Sequence, residues 1–124
     1  MSDKYVFHKQ LPVHFYRNEN GREPVRDWLK SLGRPDTVVI GEDIRVVQKG
    51  WPVGLPVCRP MGEGLYEIRS SLPNGRIARV LFFFHKGAVV LLHGFIKKTE
   101  KTPVDDLRLA KKRRDDVVSR EKGA

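Results

Sequence analysis

Two turn signals constrain this chain more than anything else in it. Pro73-Asn74-Gly75 and Lys86-Gly87 divide one stretch into three runs of strand character: Leu65 to Ser70, Arg76 to His85 and Ala88 to Phe95. Glycine beside asparagine or another polar residue suits the left-handed backbone of a tight hairpin, so the spacing predicts an antiparallel meander. Val80 to Phe84 and Val89 to Leu92 are apolar on both faces. A strand of that kind belongs inside a sheet covered on both sides, not at an edge.

The flanks supply the covering elements. Tyr5 to His8 and Val13 to Tyr16 read as short strands, and Asn18 to Gly21 as a turn. A helix is predicted from Pro24 to Leu32, with proline at the first helical position and Gly33 at the stop. A second helix is predicted from Pro35 to Lys49, ending at Gly50, with Gly41 weakening it by about 1 kcal/mol relative to alanine. Trp51 to Pro60, with prolines at 52, 56 and 60, reads as a loop from helices to sheet. A last helix starts near Thr102-Pro103, where Thr102 suits a cap and Asp105 and Asp106 suit the positive helix end. The result is an α+β domain: a small antiparallel sheet, an N-terminal helical hairpin and a C-terminal helix. One domain over residues 1–118 is expected, with 119–124 as a frayed tail.

Charge narrows the partners. Lysine and arginine number 24 against 15 aspartate and glutamate, a formal net charge of +9. Such an excess speaks of nucleic acid, an acidic protein or an anionic surface, not of fold. No apolar run approaches the ~18 residues that cross a bilayer, and no signal-peptide pattern opens the chain, so no membrane role and a cytoplasmic location are expected. Cys58 has no second cysteine to pair with. His8, His14, His85, His93 and Cys58 lack metal-ligand spacing, and Gly62-Glu63-Gly64 lacks the lysine and serine or threonine of a phosphate loop. Neither a metal nor another cofactor is expected.

The chemistry-bearing residues lie on the meander. Side chains alternate along a strand, so Glu67 and Arg69 share a face, and Arg79 shares one with Ile77, Leu81 and Phe83. An arginine among apolar residues at mid-strand calls for a partner. Two readings stay open: a salt bridge from Arg79 to Glu67, or an anion site on the face of the sheet. Lys97, Lys98 and Lys101 leave the end of the third strand. They form either a solvated run or part of the same site. Lys111, Lys112, Arg113 and Arg114 on the last helix form either a solvated face or a grip on RNA or an acidic protein.

Three strings carry a resemblance: Gly64-Leu65-Tyr66-Glu67-Ile68-Arg69, then Arg76-Ile77-Ala78-Arg79-Val80-Leu81, then the run from Leu91-Leu92-His93-Gly94-Phe95 through Lys97-Lys98 to Thr102-Pro103. They resemble the phage-derived HigB-like branch of the RelE/ParE toxin superfamily, over roughly Tyr5 to Arg114. The resemblance implies the toxin of a type II toxin–antitoxin system, a metal-independent endoribonuclease that cuts mRNA, in association with the ribosome, and stops translation. It implies a cognate helix-turn-helix antitoxin as partner, with operator DNA reached only through that antitoxin. It also implies catalytic roles for Arg69, Arg79, Lys97, Lys98 and Glu67, and RNA contacts for Arg76, His93, Lys101, Lys111, Lys112, Arg113 and Arg114. Some relatives use a C-terminal tyrosine; this chain has none after Tyr66. The general acid and base therefore stay open, with Lys97, Lys98, Glu67 and His93 as candidates. Two rivals stay open: a ParE-like gyrase inhibitor that shares the fold but has no need of Arg69, Arg79 and Lys97/Lys98 on adjacent strands, and a basic nucleic-acid-binding or regulatory protein that has lost toxicity.

Overall fold

The computed structural model describes residues 10–97 and 102–123. The predicted strand at Tyr5 to His8, and Lys98 and Lys101, lie outside the described residues. The described chain runs β1 (Val13–Phe15), α1 (Pro24–Ser31), α2 (Arg34–Gly50), β2 (Cys58–Gly62), β3 (Leu65–Ser71), β4 (Ile77–His85), β5 (Ala88–Lys97) and α3 (Val104–Gly123). The fold is α+β, with a five-stranded sheet in the order β1-β5-β4-β3-β2.

The meander forms where its turns place it. Asn74 and Gly75 take φ of 66° and 72°, and Lys86 and Gly87 take 51° and 78°, the left-handed conformations that close tight connections. β3 and β4 pair antiparallel from Leu65–Phe83 to Ser71–Ile77, and β4 pairs antiparallel with β5. β4 and β5 are both interior strands, as their two-sided apolar runs require.

Two features correct the sequence reading. The sheet is mixed, not antiparallel: β1 pairs in parallel with β5, Val13 opposite Val89 and Phe15 opposite Leu91. A parallel neighbour needs a long crossover, here the whole of α1 to β4, and no local turn signals it. The second correction is β2, within the segment read as a loop. Cys58 lies opposite Ile68 and Arg59 opposite Glu67. Prolines concealed it, yet β2 is an edge strand, where Pro60 leaves no interior ladder bond unmade. α3 also continues past Ser119 to Gly123, beyond the expected start of a frayed tail.

The sheet separates two cores. On one face α1 and α2 bury Val25, Ile40 and Val47 against Ile68, Val80, Phe82 and Leu91. Trp51 closes this layer edge-on to Tyr66 and Phe84, at 5.0 and 4.7 Å between centroids. On the other face α3 brings Ala110 and Leu107 onto Leu65, Leu81, Phe83 and Leu92. Among the described residues no helix is long and apolar enough to cross a membrane.

Gly41 sits mid-helix in α2, and a methyl group built there meets nothing within 4 Å. Gly41→Ala is therefore expected to stabilise the fold by about 1 kcal/mol, by removing backbone freedom from the unfolded chain. Thermal unfolding should show a midpoint about 4 °C higher.

Candidate anion site

The α3 face of the sheet carries the charged cluster. Glu67 and Arg69 alternate with Tyr66 and Ile68 along β3, as period two demands. Arg69 lies directly opposite Arg79 of β4, and Arg59 of β2 lies directly opposite Glu67. Arg79 in turn is paired with Phe95 of β5, and Ile77 with Lys97. Three strands thus bring three guanidinium groups and one carboxylate together, with Lys97 one register step away.

Burial divides this group. Glu67 and Arg79 are fully buried, while the side chains of Arg59 and Arg69 keep 30% and 20% of their exposure and Lys97 is exposed. Arg59 Nε donates to Glu67 Oε1 at 2.9 Å, and Arg69 Nε lies 4.0 Å from the same oxygen. Thr102, just outside α3, joins the network. Its hydroxyl donates to Glu67 Oε2 and accepts from Arg79 Nη1 at 3.3 Å and from Arg59 Nη2 at 3.4 Å. The salt-bridge reading of Arg79 and Glu67 thus takes the form of a relay through a threonine. Sequence reasoning gave Thr102 a capping role. Instead the first helical bond runs from Leu107 N–H to the Pro103 carbonyl, and the Thr102 hydroxyl turns into the sheet.

A β-bulge places His93. Leu81 pairs with His93 and Phe82 with Leu91, so Leu92 is an extra residue. Both Leu92 and His93 consequently face α3, and beyond the bulge Phe95 and Lys97 share the face of Arg79. His93 Nε2 lies 2.6 Å from Asp106 Oδ1 in the first turn of α3, the two side chains being 16% and 20% exposed. With the carboxylate as acceptor, Nε2 carries the proton. The imidazole also stacks on Phe95 at 5.4 Å. A histidine oriented by a carboxylate, two residues along β5 from the register partner of Arg79, is an arrangement suited to proton transfer. Strand alternation alone gives no sign of the bulge, so this pairing was hidden.

Cys58 records the same electrostatics from below. Burial and the neighbouring Glu67 carboxylate push its thiol up to about 11, so it stays protonated at neutral pH and is a poor nucleophile.

The remaining basic residues do not join this cluster. Arg76 makes a two-pronged pair with Asp36 at 2.8 and 3.0 Å, tying β4 to α2. That pair lowers the Asp36 carboxyl and raises the Arg76 guanidinium. Arg113 donates to the Leu92 carbonyl at 2.8 Å and lies over the Tyr16 ring, its pKa lowered by burial. Lys111 pairs with Glu63 at 2.5 Å, and Arg114 donates to the Glu63 carbonyl at 2.6 Å. These groups fasten α3 to the sheet and to the β2–β3 turn. Lys112 is exposed on α3, away from the cluster. Among the described residues no three His, Cys, Asp or Glu side chains gather as a metal-ligand set.

The class defined here is an α+β domain whose mixed sheet presents an arginine-rich cluster, centred among the described residues on the Glu67 carboxylate and roofed by the start of a C-terminal helix. Residues 27–115 match the family of phage-derived Gp49-like proteins (DUF891). The chain belongs to that family, which is a RelE/toxin-like family. No curated protein matches it.

Proposed function

We propose that this chain is the toxin of a type II toxin–antitoxin system, an endoribonuclease that cuts mRNA in the cytoplasm without a metal, in association with the ribosome. A helix-turn-helix antitoxin encoded beside it would silence it, and operator DNA would be met only through that antitoxin. The observation that carries the reading is the register pairing of Arg69 with Arg79. Like charges directly opposite one another on neighbouring strands are destabilising. Two guanidinium groups held side by side, with Glu67 as their counter-ion, suit a site that receives an anion, and the partly exposed Arg69 and Arg59 with exposed Lys97 open it to a phosphodiester.

The chemistry follows from that charge. The 2′-oxygen of one nucleotide attacks its own phosphorus as its proton leaves. The bond to the 5′-oxygen of the next nucleotide breaks, and that oxygen is protonated. A 2′,3′-cyclic phosphate and a 5′-hydroxyl result. Arg69 and Lys97 stabilise the added charge on the phosphoryl oxygens by charge-assisted hydrogen bonds, with Arg79 reinforcing the field from beneath. His93, oriented by Asp106, is the group best arranged to move a proton. Glu67, buried and bonded to Arg59 and Thr102, acts in this reading as the counter-ion that gathers the arginines, not as the base.

Arg69 is the clean test because it is partly exposed. Arg69→Gln is expected to relieve growth arrest on induction and lower cleavage by roughly 10²–10³-fold, with the unfolding midpoint little changed. Full toxicity in that variant would remove Arg69 from the site. The burial of Glu67 and Arg79 under Thr102 favours one second reading, a non-cleaving toxin of the same fold in which the cluster only anchors α3. Arrest of DNA replication before translation would select it.

A further inference from the structure

A second basic feature lies at the far end of the same face. Between β1, the β4–β5 turn and the C-terminal half of α3 is an open cavity of about 470 Å³. Its rim is formed by His14, Arg17, His85, Lys86 and Arg120, and among the described residues no carboxylate lines it. Val90 and Val117 give it an apolar floor. None of these residues takes part in the arginine cluster. His85 lies six residues beyond Arg79 on β4, about 20 Å along the strand. α3 begins over one site and reaches the other, so both flank a single helix.

The rim is held in place. Arg120 donates to the Arg17 carbonyl at 2.5 Å and to Asp116 at 2.6 Å, and Asp116 accepts the Tyr16 hydroxyl at 2.6 Å. Arg17 also pairs with Glu23 at 3.7 Å, so Arg17 and Arg120 each keep a carboxylate partner that does not itself line the cleft. Lys86 occupies a left-handed turn position, φ 51°, which asparagine or glycine fills with less strain. His85 stacks on Phe83 at 5.7 Å with an interplanar angle of 29°. Imidazole rings above an aliphatic floor, ringed by long cationic side chains, match a flat base joined to a phosphate. The volume suits one nucleotide. An acidic peptide would satisfy the cations but offers no flat group to the imidazoles.

We propose that this cleft is a second RNA-contact site, taking one nucleotide of single-stranded RNA with its phosphate on Arg17, Lys86 and Arg120 and its base against His14 and His85. The assignment rests on the RNA-cleaving reading for its biological substrate, but its test needs no cleavage. The probe is a fluorescent ten-nucleotide 2′-O-methyl RNA, which lacks the attacking hydroxyl. The variant is Arg17→Gln/Lys86→Asn, the asparagine suiting the left-handed turn. The control is Arg45→Gln/Lys49→Gln, which removes the same charge from exposed positions of α2 on the opposite layer.

The cleft variant is expected to bind roughly tenfold more weakly than the control at low salt, its salt slope falling by about 1.4 for two lost phosphate contacts on a single strand. Nuclear magnetic resonance of the wild-type chain should show the ring protons of His14 and His85 shifting on RNA addition. Affinity and slope equal to the control, with unmoved histidines, would overturn the site. A decaglutamate peptide that displaces the RNA and shifts the same histidines would overturn it in favour of an acidic protein. Loss of RNA in the cleft variant, alongside full toxicity in Arg69→Gln, would keep the cleft and reject the roles given to the arginine cluster.

Discussion

Gly94→Val is expected to leave no cooperatively folded protein. A β-carbon at Gly94 would overlap Trp28 Cζ3 and sit 2.5 Å from Cε3 and 3.0 Å from Cη2. The Trp28 indole of α1 packs against the β5 backbone there, and the glycine is required for that approach, not for an unusual φ. Even Gly94→Ala must displace a large ring from a packed layer, at a cost of about 3 kcal/mol. The compensating change makes the claim specific. In a Trp28→Ala background, Gly94→Ala should cost almost nothing beyond Trp28→Ala alone, because the two substitutions share one contact. Denaturant unfolding of the four chains measures this. Simple additivity would show that the indole is not what excludes a side chain at position 94.

Glu67→Ala is expected to be the most damaging change in the charged cluster. It removes the acceptor of the Arg59 guanidinium and of the Thr102 hydroxyl, and through Thr102 it disturbs the buried Arg79. Removing one partner from a buried ionic network costs about 3–5 kcal/mol, because the opposite charge stays buried without it. Glu67→Gln keeps the shape and one acceptor oxygen and should lose less. These variants also separate two roles for the carboxylate. As counter-ion, Glu67→Gln should lose cleavage only in proportion to the unfolded fraction. As general base, it should lose cleavage by orders of magnitude while still folded. The structure's buried, doubly bonded carboxylate leads to the first result.

The parts of this molecule that were legible in sequence are those fixed by neighbouring residues. Turn chemistry at Asn74-Gly75 and Lys86-Gly87 marked the meander, and strand alternation put Glu67 and Arg69 on one face, while only the β3–β4 register sets Arg79 beside them. What escaped depends on residues far apart in the chain. β1 finds its parallel partner across most of the described domain, and β2 carries prolines that only an edge position tolerates. One extra residue at Leu92 reverses the alternation and turns His93 towards Asp106, where a regular strand would have sent it into the opposite core. Charge was legible but its partners were not. A basic side chain advertises its sign but not its partner: Arg76, Lys111, Arg113 and Arg114 are held by Asp36, Glu63 and the Leu92 carbonyl, partners distant in the chain.

The central claim is that the arginine face receives a phosphodiester and drives attack by its own 2′-hydroxyl. Purified protein and a single-stranded RNA, incubated with excess chelator, test it most directly through the chemistry of the ends. The account predicts cleavage that persists in chelator and leaves 2′,3′-cyclic phosphate and 5′-hydroxyl termini. It also predicts that a single 2′-deoxy substitution at the cut site blocks the reaction. Termini bearing a 5′-phosphate, or cleavage that survives the 2′-deoxy substitution, would contradict it.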